Sequence, residues 1–222
     1  MKKTFLAAVV LACALPAAAQ TNFQLFYDFG KDRRIITTTL EGFYNDNWGN
    51  TFFFIDYDYS PKSDFPNGSY FEIARCLNFW QNSALAPLSL QLEYNGGVYS
   101  RYGINHAFLG GADWFLHSPD FRNTLNFKLL YKYIVGIDQQ VPMQLTTVWG
   151  CQDLFGLRNL RFSGFIDVWE ERGKAVVLSE PQLWYGFGDG HFHLGGEIEL
   201  GYNFGGVSGF SVNPCLGMKW IF

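Results

Sequence analysis

The sequence predicts an all-β protein, a transmembrane antiparallel β-barrel of about twelve strands. One observation is the terminal stretch 210–222, where Phe210, Val212, Pro214, Leu216, Met218, Trp220 and Phe222 alternate with Ser211, Asn213, Cys215, Gly217, Lys219 and Ile221. Strand side chains point to opposite faces in turn, so the first set forms one apolar face. In water such an edge strand invites aggregation. In a closed barrel, lipid covers the apolar face and the first strand pairs the edge. The closing strand of a soluble β-sandwich is the alternative reading. The second observation is composition: 19% aromatic residues and 24 glycines, with only 16% charged. The third is a series of alternating segments of about ten residues separated by turn chemistry, while no second apolar run reaches the roughly 20 residues of a membrane helix.

Residues 1–19 read as a secretory signal: Lys2 and Lys3, an apolar run from Phe5 to Leu15, Pro16, then Ala17, Ala18 and Ala19 as the cleavage site. Cleavage after Ala19 leaves Gln20 first and residues 20–222 as the barrel. Cys13, preceded by Val10, Leu11 and Ala12, offers a lipoprotein site as the second choice. The whole chain carries a formal charge of −4, and losing Lys2 and Lys3 takes it to −6. A basic stripe is missing, which argues against a nucleic-acid partner. Cys76, Cys151 and Cys215 are far apart and lack CxxC spacing, so they predict apolar fillers rather than a zinc site or a disulfide framework.

Twelve segments follow in order. The first, 22–29, sets Phe23, Leu25, Tyr27 and Phe29 against Gln24, Phe26 and Asp28. The second, 35–44, sets Ile36, Thr38, Leu40, Gly42 and Tyr44 against Thr37, Thr39, Glu41 and Phe43, and the third, 51–59, sets Phe53, Ile55, Tyr57 and Tyr59 against Phe52, Phe54, Asp56 and Asp58. Both faces of the third are aromatic, but only one carries charge. In the fourth, 70–79, Arg75 falls in phase with Phe71, Ile73 and Leu77. An Arg facing lipid at mid-depth costs roughly 2–4 kcal/mol, which predicts a bulge or an interfacial position. The fifth, 87–95, opposes Leu88, Leu90, Leu92 and Tyr94 to Ser89, Gln91, Glu93 and Asn95, whereas the sixth, 104–114, is interrupted by Gly110 and Gly111.

The seventh, 121–133, opposes Leu125, Phe127, Leu129 and Tyr131 to Thr124, Asn126, Lys128 and Lys132. The eighth spans 141–151, and the ninth, 158–169, puts Arg161, Ser163, Phe165, Asp167 and Trp169 inward. The tenth, 175–187, carries Glu180, Gln182 and Trp184 on one face, the eleventh carries His191, His193, Glu197, Glu199 and Asn203, and the terminal stretch is the twelfth. An even count puts both termini on the periplasmic side. Misreading the sixth and eighth would leave eight or ten strands. A twelve-stranded lumen lies between the filled and the open types and suits small solutes.

The inward face collects acids and aromatics. Glu41, Asp56, Asp58, Glu93, Asp167, Glu197 and Glu199 would steer polar or cationic solutes, or else pair with Lys128, Lys132, Arg161 and Lys219 and fill the lumen. Phe43, Phe54 and Trp184 suit stacking against a flat solute, or else lumen packing. His191 and His193 lack a third metal ligand, and no nucleophile-and-base arrangement such as Gly-x-Ser-x-Gly occurs, so neither a metal, a cofactor nor catalysis is expected.

The runs Tyr27-Asp28-Phe29-Gly30 and Thr39-Leu40-Glu41-Gly42-Phe43, then Trp48 with Phe52, Phe54, Ile55 and Asp56, resemble the start of the Tsx-like nucleoside-specific channel-forming outer-membrane proteins. The resemblance covers roughly residues 22–59. It implies a monomeric twelve-stranded barrel with a narrow nucleoside-holding lumen, and carries over to Glu41, Phe43, Phe54 and Asp56. The family's Gly-Tyr-Asn-Phe ending stands at 201–204, one strand early. The terminal Phe222 resembles the signal read by the barrel assembly machinery. The expected partners are therefore a nucleoside-like solute, outer-membrane lipid and that machinery. Two functions stay open: a passive channel for nucleosides or similar small polar solutes, and a structural or surface-binding barrel with a plugged lumen.

Overall fold

The computed structural model describes residues 19–222 except 32, 61–65 and 101. Apart from Ala19, the expected signal lies outside the described residues. The strands are β1 (Ala19–Asp28), β2 (Ile36–Asp46), β3 (Gly49–Tyr59), β4 (Pro66–Leu77), β5 (Leu88–Tyr99), β6 (Tyr102–His117), β7 (Asn123–Ile134), β8 (Met143–Gln152), β9 (Leu160–Glu171), β10 (Lys174–Ser179), β11 (Gln182–Phe187), β12 (Phe192–Tyr202) and β13 (Phe210–Ile221). Each pairs antiparallel with its neighbours, and β13 closes on β1 from Asn22↔Ile221 to Asp28↔Cys215.

β10 and β11 are two halves of one spanning strand. Both keep a single register against β9 and against β12. Pro181 has no N–H to give the ladder and interrupts it. The flanking bonds persist, from Glu180 N to Phe165 O (3.1 Å) and from Ile198 N to Pro181 O (3.1 Å). The barrel therefore has twelve spanning strands, as the alternation predicts. No open edge remains to be satisfied in lipid.

The outward residues form a bilayer-facing belt. Leu40, Ile73, Leu92, Leu129, Leu145, Ile166, Leu183, Ile198 and Leu216 are exposed at its middle. The end where β1 begins and β13 finishes, here the near end, is ringed by Trp48, Phe79, Trp114, Phe121, Phe187, Trp220 and Phe222. The far end is ringed by Tyr27, Phe29, Tyr57, Tyr59, Tyr133, Tyr202 and Phe210. Two aromatic girdles around an apolar band are what a membrane barrel needs at its two water interfaces. Arg75 faces outward at the near interface, where Nη2 meets Asp46 Oδ1 at 2.8 Å and Nη1 donates to Thr51 at 3.1 Å. Of the two placements the sequence left open for Arg75, the interface is the one observed; the register shift of that strand pair lies at Asp58/Tyr59.

β6 runs unbroken through Gly110 and Gly111, where the sequence suggested an interruption. The reason is close approach: a Cβ on Gly111 would collide with the backbone of Leu129 on β7. The core of the molecule lies in the lumen. Ala107, Leu109, Leu130, Ile134, Trp169 and Val176 pack there, with Ile137, Leu178 and Phe204 against them.

Candidate functional site

Pairing of β2, β3 and β4 lays inward side chains in rows. Glu41 lies opposite Phe54, and Phe54 opposite Glu72; Thr39 lies opposite Asp56, and Asp56 opposite Tyr70; Phe43 lies opposite Phe52. The rings form a ladder, with centroids 6.0 Å apart for Phe52 and Phe54 and 5.8 Å apart for Phe54 and Tyr70. Carboxylates border it on both sides. Neutral groups hold them: Thr39 Oγ1 donates to Asp56 (2.5 Å), Tyr70 OH to Glu72 (2.7 Å), Asn22 Nδ2 to Glu41 (2.8 Å) and Gln91 Nε2 to Glu93 (2.6 Å). Thr37 Oγ1 and Tyr99 OH each donate to Asp58 at 2.6 Å. Among the described residues the ion pairs join Arg33 to Asp28 and Glu199, Arg75 to Asp46, and Arg122 to Asp153. Glu41, Asp56, Glu72 and Glu93 thus take part in none of these ion pairs and rest on neutral donors.

The facing wall comes from β9 to β13. Gln182 Nε2 donates to Glu197 (2.8 Å), Asn213 Nδ2 to Glu199 (2.8 Å), and Trp184 Nε1 to Gln182 Oε1 (2.9 Å). Gly195 and Gly217 point inward, and a Cβ on either would strike the ring of Trp184 or Phe26. These glycines leave room for the two aromatic rings, whose centroids lie 5.6 Å apart at an interplanar angle of 59°. Lys219 Nζ sits 4.4 Å over Trp184. Glu180 lies within electrostatic reach of Glu197, Glu199, Asp56 and Glu72. Acids of opposite walls therefore share one space.

Of the sequence-predicted site residues, Glu41, Phe43, Phe54 and Asp56 form one contiguous patch, and Asp58 and Glu93 extend it along β3 and β5. Trp184, Glu197 and Glu199 form a second patch on β11 and β12. Asp167, to which the Thr146 hydroxyl donates at 2.5 Å, lies across the lumen from the first patch, within electrostatic reach of Glu72 and Glu93 and in the field of Lys132 and Lys128. Sequence reasoning missed Tyr70, Asp113 and Arg33. Asp113 accepts two bonds from Asn126 Nδ2 (2.8 and 2.9 Å), but Gly110 and Gly111 kept its strand from being phased in the sequence. His191 Nδ1 meets Ile221 O at 2.6 Å and its ring stacks on Trp220. Among the described residues no three His, Cys, Asp or Glu side chains gather as a metal set.

At the far mouth, Arg33 reaches from the β1–β2 turn to Asp28 Oδ2 (2.6 Å) and Glu199 Oε2 (2.7 Å). Burial opposes its charge, yet Glu199 and Asp28 together hold the guanidinium above its ordinary pKa.

Residues 19–222 match the family described as DUF5020, Domain of unknown function. The chain belongs to that family. No curated protein matches the sequence. Among solved structures, this DUF5020 barrel is similar to the KdgM porin in complex with disordered oligogalacturonate, with a TM-score of 0.55 at 8% identity, covering 91% of this chain and 99% of that one. A second KdgM porin structure gives 0.53 at 9% identity over the same shares. The Acinetobacter baumannii outer membrane protein Omp33 gives 0.44 at 11% identity, covering 92% and 97%. The KdgM likeness is one of fold: a closed barrel of the outer-membrane porin kind. With the lipid-facing belt and its two girdles, it makes this DUF5020 protein a barrel of the bacterial outer membrane.

Proposed function

We propose that this DUF5020 protein is an outer-membrane channel for passive uptake of nucleosides or similar small polar solutes. The observation that carries the reading is the ring ladder Phe52, Phe54 and Tyr70 bordered by Glu41, Asp56 and Glu72. A flat base stacks on Phe54, a contact worth about 1–3 kcal/mol per base in other proteins. Hydroxyls of an attached sugar donate to the flanking carboxylates, each charge-assisted bond contributing roughly 1.5–3 kcal/mol where water is excluded. A channel must also release its solute, so net affinity stays modest. The resemblance over residues 22–59 supports the same reading. The KdgM complex holds an acidic oligosaccharide; a lumen rich in unpaired carboxylates opposes a polyanion, and that cargo is not carried over here. In this reading the mature chain starts at Gln20, works as a monomer and enters the membrane through the barrel assembly machinery.

Single-channel recording in planar bilayers tests the proposal. Nucleosides should block the wild-type current, Phe54→Ala and Asp56→Asn should weaken the block, and Leu92→Ala on the lipid face should leave it unchanged. A wild-type current indifferent to nucleosides overturns the substrate class. The second reading, a plugged structural barrel, draws on the apolar cluster around Leu130 that fills part of the lumen. It predicts no conductance at all.

A further inference from the structure

We propose that Arg33 sets charge selection at the far mouth: its guanidinium acts as a tethered counter-ion beside Asp28 and Glu199, in the place a cationic group of a passing solute would otherwise take. The inference rests on the channel reading above. Four features support it. The guanidinium bridges strands from the two ends of the chain, Nε meeting Asp28 at 2.6 Å and Nη1 meeting Glu199 at 2.7 Å. The acids are the more deeply set partners, since the side chains of Asp28 and Glu199 are 1% and 15% exposed against 35% for Arg33. The cation therefore caps them from the solvent side. Asp28 Oδ2 is buried and makes no aligned hydrogen bond, so its compensation comes from the Arg33 charge itself. Finally, the fields of Asp58 and Asp56 also fall on Arg33 or feel it. One tethered cation thus serves several acids, and the remaining excess negative charge favours neutral and cationic solutes over anions.

The local chain is built to hold this pose. Gly30 N donates to Asp28 Oδ1 at 2.6 Å, Arg33 N to Gly30 O at 3.1 Å, and Phe29 N to Pro214 O at 2.9 Å, which ties the turn to β13. Asn213 Nδ2 holds the other oxygen of Glu199 at 2.8 Å. A mere closing staple would need none of the charge, so the two roles separate experimentally.

The test compares wild type, Arg33→Gln, Arg33→Lys and Glu199→Gln in bilayers under a potassium chloride gradient. Arg33→Gln should raise the potassium-to-chloride permeability ratio about 25-fold, since a unit charge acting over ~4 Å in a water-like dielectric changes entry about fivefold for each ion, in opposite directions. Millimolar guanidinium chloride should block Arg33→Gln and spare wild type. Arg33→Lys should stay near wild type, and Glu199→Gln should lower the ratio. An unchanged ratio in Arg33→Gln, in pores that conduct, overturns the inference and leaves the channel reading standing. A non-conducting wild type overturns the channel reading instead. The counter-ion role is then decided by heat-modifiability in detergent: millimolar guanidinium, against sodium chloride of equal strength, should restore Arg33→Gln toward wild type. No restoration overturns it.

Discussion

Two walls of the same lumen differ in what they bury. The wall from β6 to β10 adds to its buried Asp113, Lys132, Gln144 and Thr146 an apolar cluster of Ala107, Leu109, Leu130, Ile134, Trp169 and Val176, with Leu130 wholly buried. The wall from β1 to β5 buries Asn22, Gln24, Asp28, Asp58, Gln91 and Asn95, with Phe26, Ala74 and Cys76 outside that cluster. Apolar residues on the outside gain nothing by meeting one another, because lipid tails are as apolar as leucine. Apolar residues on the inside do gain, since they exclude water. The comparison teaches that the apolar cluster gives one wall a cohesion the other lacks, while both offer polar groups to whatever enters.

The largest expected effect breaks the cohesive wall. Leu130→Ala should lower folding stability by about 2–5 kcal/mol through lost transfer energy and the cavity left behind. Denaturant unfolding in detergent measures it. Ion selectivity should not change, because no charge moves. If Leu130→Ala were neutral, the cluster would be loose filling, and the two walls would not differ in kind.

A smaller effect on stability and a larger one on conduction are expected from the polar wall. Glu41 accepts a bond from Asn22 Nδ2 and has no ion-pair partner among the described residues. Glu41→Gln keeps the shape and removes a charge, so stability should move by less than about 1 kcal/mol. The potassium-to-chloride permeability ratio should fall severalfold. A large stability loss without a change of ratio would make this wall structural too.

The sequence made the outward belt legible because period two survives wherever one face meets lipid. Each of the ten proposed lumen residues lies on the inward face for that reason. Inside the barrel the rule loses force. Leu109, Leu130, Ile134, Val176 and Leu178 face the lumen while their strand neighbours face lipid, so both faces are apolar and alternation marks neither. Glu72 and Glu180 lie within electrostatic reach across the lumen although half the wall separates them, which no spacing in the chain records. Arg33 lies in a turn, where patterning has nothing to say, and its partner Glu199 is 166 residues away.

The last expected difference compares two lysine–tryptophan pairs, one on the wall with the apolar cluster and one between β11 and β13. Lys132 Nζ sits 3.8 Å from the Trp169 ring and donates to Gln144 at 2.7 Å, while Lys219 Nζ sits 4.4 Å from the Trp184 ring. Phe at either position weakens a cation–π contact worth about 0.5–1 kcal/mol, and the two losses should nearly cancel in the comparison. The indole N–H groups do not cancel. Trp184 Nε1 donates to Gln182 Oε1 at 2.9 Å, whereas Trp169 Nε1 is buried without a partner. Trp184→Phe therefore strips Gln182 of a donor, at roughly 0.5–1.5 kcal/mol, and Trp169→Phe removes an N–H whose burial already costs about 1–3 kcal/mol. Trp184→Phe should be the more destabilising of the two by about 1 kcal/mol or more, read from unfolding midpoints at a common slope. The reverse order would mean that water reaches Trp169 through the apolar cluster, and the cohesive wall would then be wet.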